Sequence, residues 1–473
     1  MFCLPNNNNL SKFARKYITT FKFLTKHTHN MKKTLLSIAA LLASTSAALA
    51  QNGITELPDA DHNGLMITAM SPNAKYVAGS NASTFGGFIF DLENDKIVNF
   101  DVNPSSDPDV DVDLQIKAIA NNGLAVGWNG PAATFDFSTQ KCTTYGATDQ
   151  YLFNGISPSG GYIVGARYDG EQTEGTPCIF QNGAPLDLPL PSNSFLGYES
   201  AGASALSVAD DGTVSGYFVD DMATRPATTW ALLNDGATFF PYPISRPYFA
   251  PTAESSKPYA MFSCDQTAMS ANGKWLVINY EKYVGDGSII GTARYNLQTD
   301  EVEFFTPNDD DERFAEVGTE VYGFGVADDG TVVGFYGGAY GPRVGFIWKA
   351  GESDIQRLAT AFPGATRLAD YDEGYFNTPC AISADGRYIA GFAHISPEDL
   401  NQDEYYVSWV LDTQDPDAAG SATDVAPIVV KDKDKVAKIK ALYSLDGARR
   451  NTLSKGINIL RMSDGKSLKK LVK

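Results

Sequence analysis

The chain has 473 residues, which is too long for one ordinary hydrophobic core and predicts several domains or a repeat architecture. Its net charge is −19, and residues 51–430 alone carry 17 basic and 52 acidic side chains. Such a body repels phosphate backbones and anionic lipid, which excludes nucleic acid and membrane surfaces as leading partners. The acidity is typical of an extracellular protein surface, and a calcium-loaded surface is the alternative.

The N-terminal segment has the pattern of a secretory signal peptide. Met31-Lys32-Lys33 precedes an apolar run that ends in Ala48-Leu49-Ala50, so residues 31–50 carry the basic, apolar and small-residue regions of a cleavable leader. The run is too short to span a membrane comfortably, so we expect no membrane span after cleavage before Gln51. Residues 1–30 are interpreted as sequence upstream of the true start, or as an unusually long basic region of the leader.

A β-hairpin pattern recurs seven times between residues 65 and 391. Its last copy, residues 381–391, consists of a short apolar strand, a Ser-x-Asp-Gly turn and a second apolar strand that ends on Gly391. Asp-Gly suits a tight turn, because glycine adopts positive φ freely and the Asp side chain bonds to the local backbone. The seven copies end at Gly79, Gly127, Gly165, Gly216, Ile278, Gly334 and Gly391.

Each hairpin is followed by a loop of variable length, an aromatic-rich strand and usually a fourth strand. Four strands repeated seven times predict an all-β fold, a seven-bladed β-propeller over residues 51–411, with six or eight blades as alternatives. The last copy has no obvious fourth strand, whereas residues 53–58 resemble a fourth strand with no blade before it. We therefore expect the N-terminal strand to complete the last blade and remove an open sheet edge.

The C-terminal region differs in composition from the repeats. Residues 412–433 are interpreted as a linker, and residues 434–473 contain turn-punctuated strand patterns that predict a small β unit. Residues 431–473 carry a net charge of +9, opposite to that of the body. This end is expected to dock on the propeller or to be recognised by another protein.

Two resemblances to known families concern short motifs. Val344-Gly345-Phe346-Ile347-Trp348 resembles the signature of the His-Ala-Phe repeat of extracellular bacterial β-propellers, with Val-Gly in place of His-Ala. Tyr443-Ser444-Leu445-Asp446-Gly447, Lys455–Ile459 and the closing Lys469–Lys473 resemble the C-terminal tails of secreted Bacteroidetes proteins related to type IX sorting domains. This second resemblance implies export or surface attachment, with the secretion machinery as a partner of the tail. The Asn-Pro-containing first half of the longer tails is absent, so a structural cap is the alternative.

The loops that follow the second strand of each hairpin are the candidate binding surface. They vary most in length, as functional surface loops do. Aromatic rings with a few polar groups suit stacking against sugars or peptide side chains, and packing of one loop against another is the alternative role. The candidate ligand-binding residues are Trp128, Tyr168, Tyr217, Arg225, Tyr280, Tyr283, Tyr336, Tyr340, Arg343 and His394.

Metal sites have weaker support. Asp59, Asp61 and Asn63 match the first half of a calcium loop, but Met70 stands where a bidentate Glu is needed. Acidic runs at residues 107–113 and 309–312 are the other calcium candidates. No cofactor is therefore expected, with calcium as the alternative.

The cysteines show no C-x-x-C spacing, so a zinc site is not indicated. Free, buried thiols are favoured over disulfides for Cys142, Cys178, Cys264 and Cys380.

The catalytic inventory is sparse. After cleavage the chain keeps only His62 and His394, and it has neither a nucleophile elbow nor a phosphate-binding glycine loop. We therefore expect a secreted or cell-surface monomer that binds a protein or glycan without catalysis. The alternative is a propeller-type glycan hydrolase or lyase that uses a carboxylate pair, since two such acids need no sequence spacing.

Overall fold

The chain divides into two compact units, Met1–Gln51 and Asn52–Lys473. The computed structural model describes residues 50–51, 53–58, 64–81, 86–100, 115–128, 130–170, 175–190, 202–219, 227–232, 239–243, 268–284, 287–308, 311–314, 317–338, 341–374, 376–395, 405–418, 439–444, 449–450, 456–462 and 467–472. The predicted leader up to residue 49 and linker residues 419–433 lie outside these ranges. In the first unit the described element is strand β1 (Ala50–Gln51). The second unit begins with β2 (Ile54–Glu56).

Five four-stranded antiparallel sheets follow β2, and we name them blades A to E. Blade A contains β3 (Leu65–Met70), β4 (Tyr76–Asn81), β5 (Gly87–Asp91) and β6 (Lys96–Phe100). Blade B contains β7 (Gln115–Ile119), β8 (Leu124–Trp128), β9 (Ala132–Asp136) and β10 (Lys141–Tyr145). Blade C contains β11 (Tyr151–Ile156), β12 (Tyr162–Arg167), β13 (Thr176–Gln181) and β14 (Ala184–Asp187). Blade D contains β15 (Gly202–Val208), β16 (Val214–Val219), β17 (Ala227–Leu232) and β18 (Phe239–Pro243). Blade E contains β19 (Ala268–Met269), β20 (Trp275–Val284), β21 (Gly287–Asn296) and β22 (Glu301–Phe305).

The remaining propeller strands form one larger sheet, which we call the merged sheet. Its first half contains β23 (Val321–Val326), β24 (Val332–Gly337), β25 (Arg343–Trp348) and β26 (Gln356–Arg357). Two short helices follow, Leu358–Ala361 and Arg367–Glu373. The second half contains β27 (Phe376–Ile382), β28 (Tyr388–Ile395) and β29 (Tyr405–Asp412).

The fold is therefore an all-β propeller, as predicted, but the prediction of seven separate blades was wrong. Five blades are separate sheets, and the last two repeats share the merged sheet, where Arg343 pairs in parallel with Phe376. The physical reason is the short fourth strand β26. It covers β25 only at Phe346 and Ile347, so the start of β25 stays available to β27.

The predicted closure by the N-terminal strand is confirmed. Strand β2 pairs antiparallel with β29, joining Ile54 to Leu411 and Glu56 to Trp409. The first and last repeats also meet through Ser408, whose Oγ donates to the carbonyl of Leu65 (2.7 Å). First and last strands thus hold the ring shut without a covalent link.

The hydrophobic core lies between adjacent sheets. Ile89 and Phe100 of blade A pack with Ile116, Ala125 and Phe135 of blade B in one buried cluster. The apolar strands are therefore buried on both faces, as their sequences indicate. Fully burying an Ile or Phe side chain contributes roughly 1.5–3 kcal/mol, so stacking of the sheets is a major source of stability.

The predicted turn is present in the last repeat. The Ser383 hydroxyl donates to Asp385 (2.6 Å) and accepts from the backbone N–H of Tyr388 (2.9 Å). Asp385 accepts from the N–H of Arg387 (3.0 Å), and Gly386 has φ of 73°. The repeated Asp and Gly are thus explained by the turn itself.

The turns of neighbouring repeats also bond to each other. The N–H of Asn73 donates to Asn121 (2.9 Å), that of Ser159 to Asp210 (2.9 Å), and that of Asn272 to Asp328 (2.9 Å). The N–H of Ala384 in the last repeat donates to the carbonyl of Pro72 in the first (2.8 Å). These bonds tie together the ends of the inner strands on the turn side of the ring.

The small C-terminal β unit is confirmed as a four-stranded sheet. Its strands are β30 (Ile439–Ser444), β31 (Arg449–Arg450), β32 (Gly456–Met462) and β33 (Ser467–Val472). Across all the ranges that the structure describes, no helix has the length and apolarity needed to cross a membrane.

Candidate functional site

A channel of about 800 Å³ lies at the centre of the propeller. Its wall is formed by residues of the first strand of every repeat, namely β3, β7, β11, β15, β19, β23 and β27. Every repeat therefore contributes to one shared concave surface, whose volume matches that of a small-ligand site.

A β-bulge recurs in the inner strands and supplies part of the channel wall. In each of six inner strands the pairing register shifts and leaves one residue without a partner on the second strand. A bulge of this kind re-aims a side chain. All six of these residues line the channel: Thr68, Lys117, Asn154, Leu206, Phe324 and Cys380.

The bulge explains the glycine that ends most of the hairpins. A Cβ on Gly79 would lie 1.9 Å from the carbonyl oxygen of Met66, and one on Gly127 would lie 1.8 Å from that of Gln115. These separations are too short for any side chain, so the close approach of the bulged strand requires glycine. In the fifth repeat Ile278 replaces this glycine, and the described part of the inner strand is only Ala268–Met269.

Four of the predicted binding residues come together in the channel wall: Trp128, Tyr168, Tyr217 and Arg343. Trp128 ends β8 and pairs with Gln115 of the inner strand. Tyr217 pairs in the same way with Ser204. The mouth beyond the second strands is thus the end of the channel that gathers these side chains, as the loop argument predicted.

Two predicted binding residues belong instead to the core. Tyr280 is 1% exposed and donates from its hydroxyl to the carbonyl of Phe305 (3.2 Å). Tyr336 is 3% exposed and packs against Phe314 with ring centroids 5.1 Å apart. Burial raises the pKa of each tyrosine to about 12. These rings fill space between strands and are not part of the channel wall.

Arg343 and His394 lie on either side of Phe376. The guanidinium carbon of Arg343 is 5.1 Å from the Phe376 ring centroid and 4.5 Å from that of Phe335. The His394 ring lies 5.1 Å from Phe376 and stacks on Tyr406 at 4.7 Å. His394 is therefore part of an aromatic cluster behind Arg343 and does not itself line the channel.

The other predicted residues are located by backbone alone or lie outside the described ranges. Tyr283 is in β20, where it pairs with Ser288, and only its backbone is described. Arg225, Tyr340, Cys264 and the calcium candidates Asp59, Asp61 and Asn63 lie outside those ranges.

Sequence reasoning missed several residues of the channel wall, notably Lys117, Asn154, Phe324 and Phe392. The first three sit on the bulges, and the only signal for them was the repeated glycine opposite each bulge. Lys117 is exposed within a strand of otherwise partly buried residues. Its Nζ lies 5.8 Å from the centroid of the Trp128 ring, a cation–π arrangement.

The charge of the channel wall is opposite to that of the chain. Lys117 and Arg343 are the charged side chains in the described wall, which contains no Asp or Glu. The described wall therefore provides no carboxylate pair for glycan hydrolysis. In the ranges described, no group of three His, Cys, Asp or Glu side chains is arranged to hold a metal ion.

The acidic run at residues 309–312 contains one residue with an arginine partner. Asp311 pairs with Arg313, with Oδ2 and Nη2 2.5 Å apart, and this hydrogen bond lowers the pKa of the carboxyl. Within this run, Asp309 and Asp310 lie outside the described ranges, as do residues 107–113 of the other run.

The described cysteines are free thiols, as favoured from sequence: Cys142, Cys178 and Cys380. Cys380 lines the channel, and its Sγ donates to the carbonyl of Ile67 (3.0 Å). Burial raises the pKa of this thiol to about 12, which keeps it protonated and unreactive at neutral pH.

No protein-family model matches the chain, and no curated protein matches it. Several solved structures are similar to it at low identity. Hydrazine synthase of Kuenenia stuttgartiensis is 13% identical with a TM-score of 0.43, over 70% of this chain and 93% of the other. A catalytically inactive virginiamycin B lyase from Staphylococcus aureus with quinupristin is 11% identical with a TM-score of 0.39, over 76% and 98%. TolB from Acinetobacter baumannii is 14% identical with a TM-score of 0.35, over 63% and 64%. The fold assignment rests on this chain's own strand pairing.

Proposed function

We propose that the protein is a non-catalytic binding scaffold that holds a protein or glycan ligand at the mouth of the propeller channel. The observation that carries the proposal is the group of aromatic rings in the channel wall, Trp128, Tyr168, Tyr217, Phe324 and Phe392. Large rings of this kind provide contact area at low entropic cost.

Polar side chains between the rings support the same role. Gln115, Asn154, Ser204 and Thr378 line the channel and offer amide or hydroxyl groups to a ligand. Asn154 already donates to Ser204 Oγ (3.0 Å) and to the carbonyl of Ala205 (3.0 Å), which fixes its orientation. Oriented polar groups among aromatic rings are typical of ligand-binding pockets.

The binding surface works as a ring of seven repeats, with each half of the merged sheet acting as one blade. Both halves carry an inner strand with a bulge, at Phe324 and at Cys380, and both present it to the channel. The single Arg343–Phe376 pair joins the two halves at one end.

The test is a glycan and protein binding screen with the Trp128→Ala variant. Removing the indole is expected to weaken binding about tenfold, because it deletes a stacking platform. The Trp275→Ala variant is the matched control, since Trp275 is partly buried outside the channel wall. Turnover of a bound glycan, or equal binding by the Trp128→Ala variant and the wild type, would overturn the proposal.

The place of action is outside the cell, with the tail as the export address. The leader pattern at residues 31–50 and the tail resemblance at residues 434–473 support this location. Deleting residues 434–473 is expected to trap the protein before its final location, as measured by cell fractionation. Unchanged fractionation would leave the tail a structural cap.

A further inference from the structure

We propose that the channel ligand is an acidic oligosaccharide, whose carboxylate groups are bound by Lys117 and Arg343. This inference rests on the proposed binding function and names its ligand class. It starts from a contrast on the molecule itself: the chain carries a net charge of −19, yet the charged side chains in the described channel wall are both cations.

Lys117 is placed for this role by the bulge in β7. The register shift between Ile116 and Ala118 leaves Lys117 outside the regular pairing, and its side chain is exposed although it lies on the innermost strand. Its ammonium group lies 5.8 Å from the centroid of the Trp128 ring. A sugar ring stacked on Trp128 would therefore present its substituents next to a positive charge.

Arg343 supplies the second cation from the merged sheet. Its guanidinium carbon lies 4.5 Å from the ring centroid of Phe335 and 5.1 Å from that of Phe376, so two rings hold the group in one orientation. A planar guanidinium held in this way binds a carboxylate through two parallel hydrogen bonds. Less ordering is then needed when the ligand arrives.

The surrounding charge makes the two cations selective. An anion is repelled by the acidic body elsewhere, while a cationic patch in a concave, low-dielectric wall concentrates the attractive field. The lining also favours sugars over acidic peptides, because aromatic rings alternate with hydroxyl and amide groups that match ring hydroxyls. Thr68, Ser204 and Thr378 are such hydroxyl groups.

The experiment is a calorimetric titration of the full chain with oligogalacturonate, alginate and hyaluronan oligosaccharides. Each is compared with a neutral oligosaccharide of equal length, and oligoglutamate is the peptide arm. We expect at least one acidic oligosaccharide to bind more tightly than its neutral counterpart, with affinity that falls as salt is raised. The Lys117→Gln variant is expected to lose about tenfold in affinity for it.

Lys96→Gln is the matched control. Lys96 is also exposed and lies 5.1 Å from an aromatic ring centroid, that of Phe137, but it is outside the channel wall. Its loss is expected to leave affinity unchanged. Equal loss in both variants would show a general charge effect and overturn the inference.

The outcomes separate this inference from the proposed function. If neutral and acidic oligosaccharides bind equally and only the Trp128→Ala variant weakens them, the binding function stands and the acidic ligand class is wrong. If oligoglutamate binds and no oligosaccharide does, the glycan assignment is overturned. If no ligand binds in a manner that depends on Trp128, both fail.

Discussion

The two ends of the inner strands differ in a way that separates scaffold from site. On the turn side, similar Ser, Asp or Asn and Gly residues recur and bond from repeat to repeat, as Asn272 does to Asp328. On the mouth side the corresponding positions differ in every repeat, and Trp128, Tyr217 and Arg343 are examples. Repetition therefore marks the residues that hold the ring, and variation marks those that face a ligand.

The largest expected effect comes from breaking the turn side at Arg294. This cation is 1% exposed, pairs with Glu303 (2.6 Å) and donates to the carbonyl of Lys349 (2.8 Å) in the merged sheet. Its guanidinium also lies over Trp348 at 4.2 Å. We expect Arg294→Ala to lower the free energy of unfolding by about 4 kcal/mol, because it leaves buried carbonyls unpaired and a cavity.

Urea unfolding followed by tryptophan fluorescence measures this loss. Arg167→Ala is the control, because Arg167 is paired with Asp187 at 2.9 Å on the surface, where such pairs contribute less than about 1 kcal/mol. Equal losses in the two variants would contradict the structural role of Arg294.

A smaller loss is expected at the residue that connects the two sides, Gly127. A Cβ there would overlap the carbonyl oxygen of Gln115, so Gly127→Ala should push the β7 bulge outward and cost about 3 kcal/mol. Because the bulge carries Lys117, ligand affinity should fall as well. Differential scanning calorimetry and the same titration measure the two effects.

Gly351→Ala separates overlap from backbone strain. Gly351 has φ of 75° but open space around its Cβ position, so its substitution should cost about 1 kcal/mol. A Gly127→Ala variant no less stable than Gly351→Ala would show that the bulge is easily displaced.

The smallest effect concerns acid. The hydrogen bond from Arg387 holds the pKa of Asp412 below its usual value. A carboxyl with a lowered folded-state pKa stabilises the fold above its unfolded pKa of about 3.9, and this contribution is lost as pH falls through the folded value. Unfolding at pH 7 and pH 3 should therefore show a smaller drop in Asp412→Asn than in the wild type. An equal drop would assign the acid sensitivity to other carboxyls.

Much of the scaffold could be predicted because its signals are local. The Ser383 to Gly386 turn depends on side chains that bond to their own backbone. The closure of Ile54–Glu56 on β29 followed from one missing strand and one spare strand. Both required only pattern and turn chemistry.

The site could be predicted only in part, because side-chain direction depends on pairing. Strand β24 is buried along its whole length, so no alternation in the sequence shows that Tyr336 faces the core. Lys117 reads as an ordinary polar strand residue until the bulge turns it into the channel. The merging of two sheets depends on one backbone pair, Arg343 with Phe376, which leaves no trace in the sequence.

The closure through Ser408 also has a consequence for the order of folding. Its hydroxyl accepts a hydrogen bond from the N–H of Ile67 across 341 residues of sequence. The first repeat therefore completes its edge contacts only after the last repeat has been synthesised. Pairing over such separations is slow, because loop entropy is lost before contacts compensate for it. A nascent chain keeps an open sheet edge until this final step, which is the stage most exposed to aggregation.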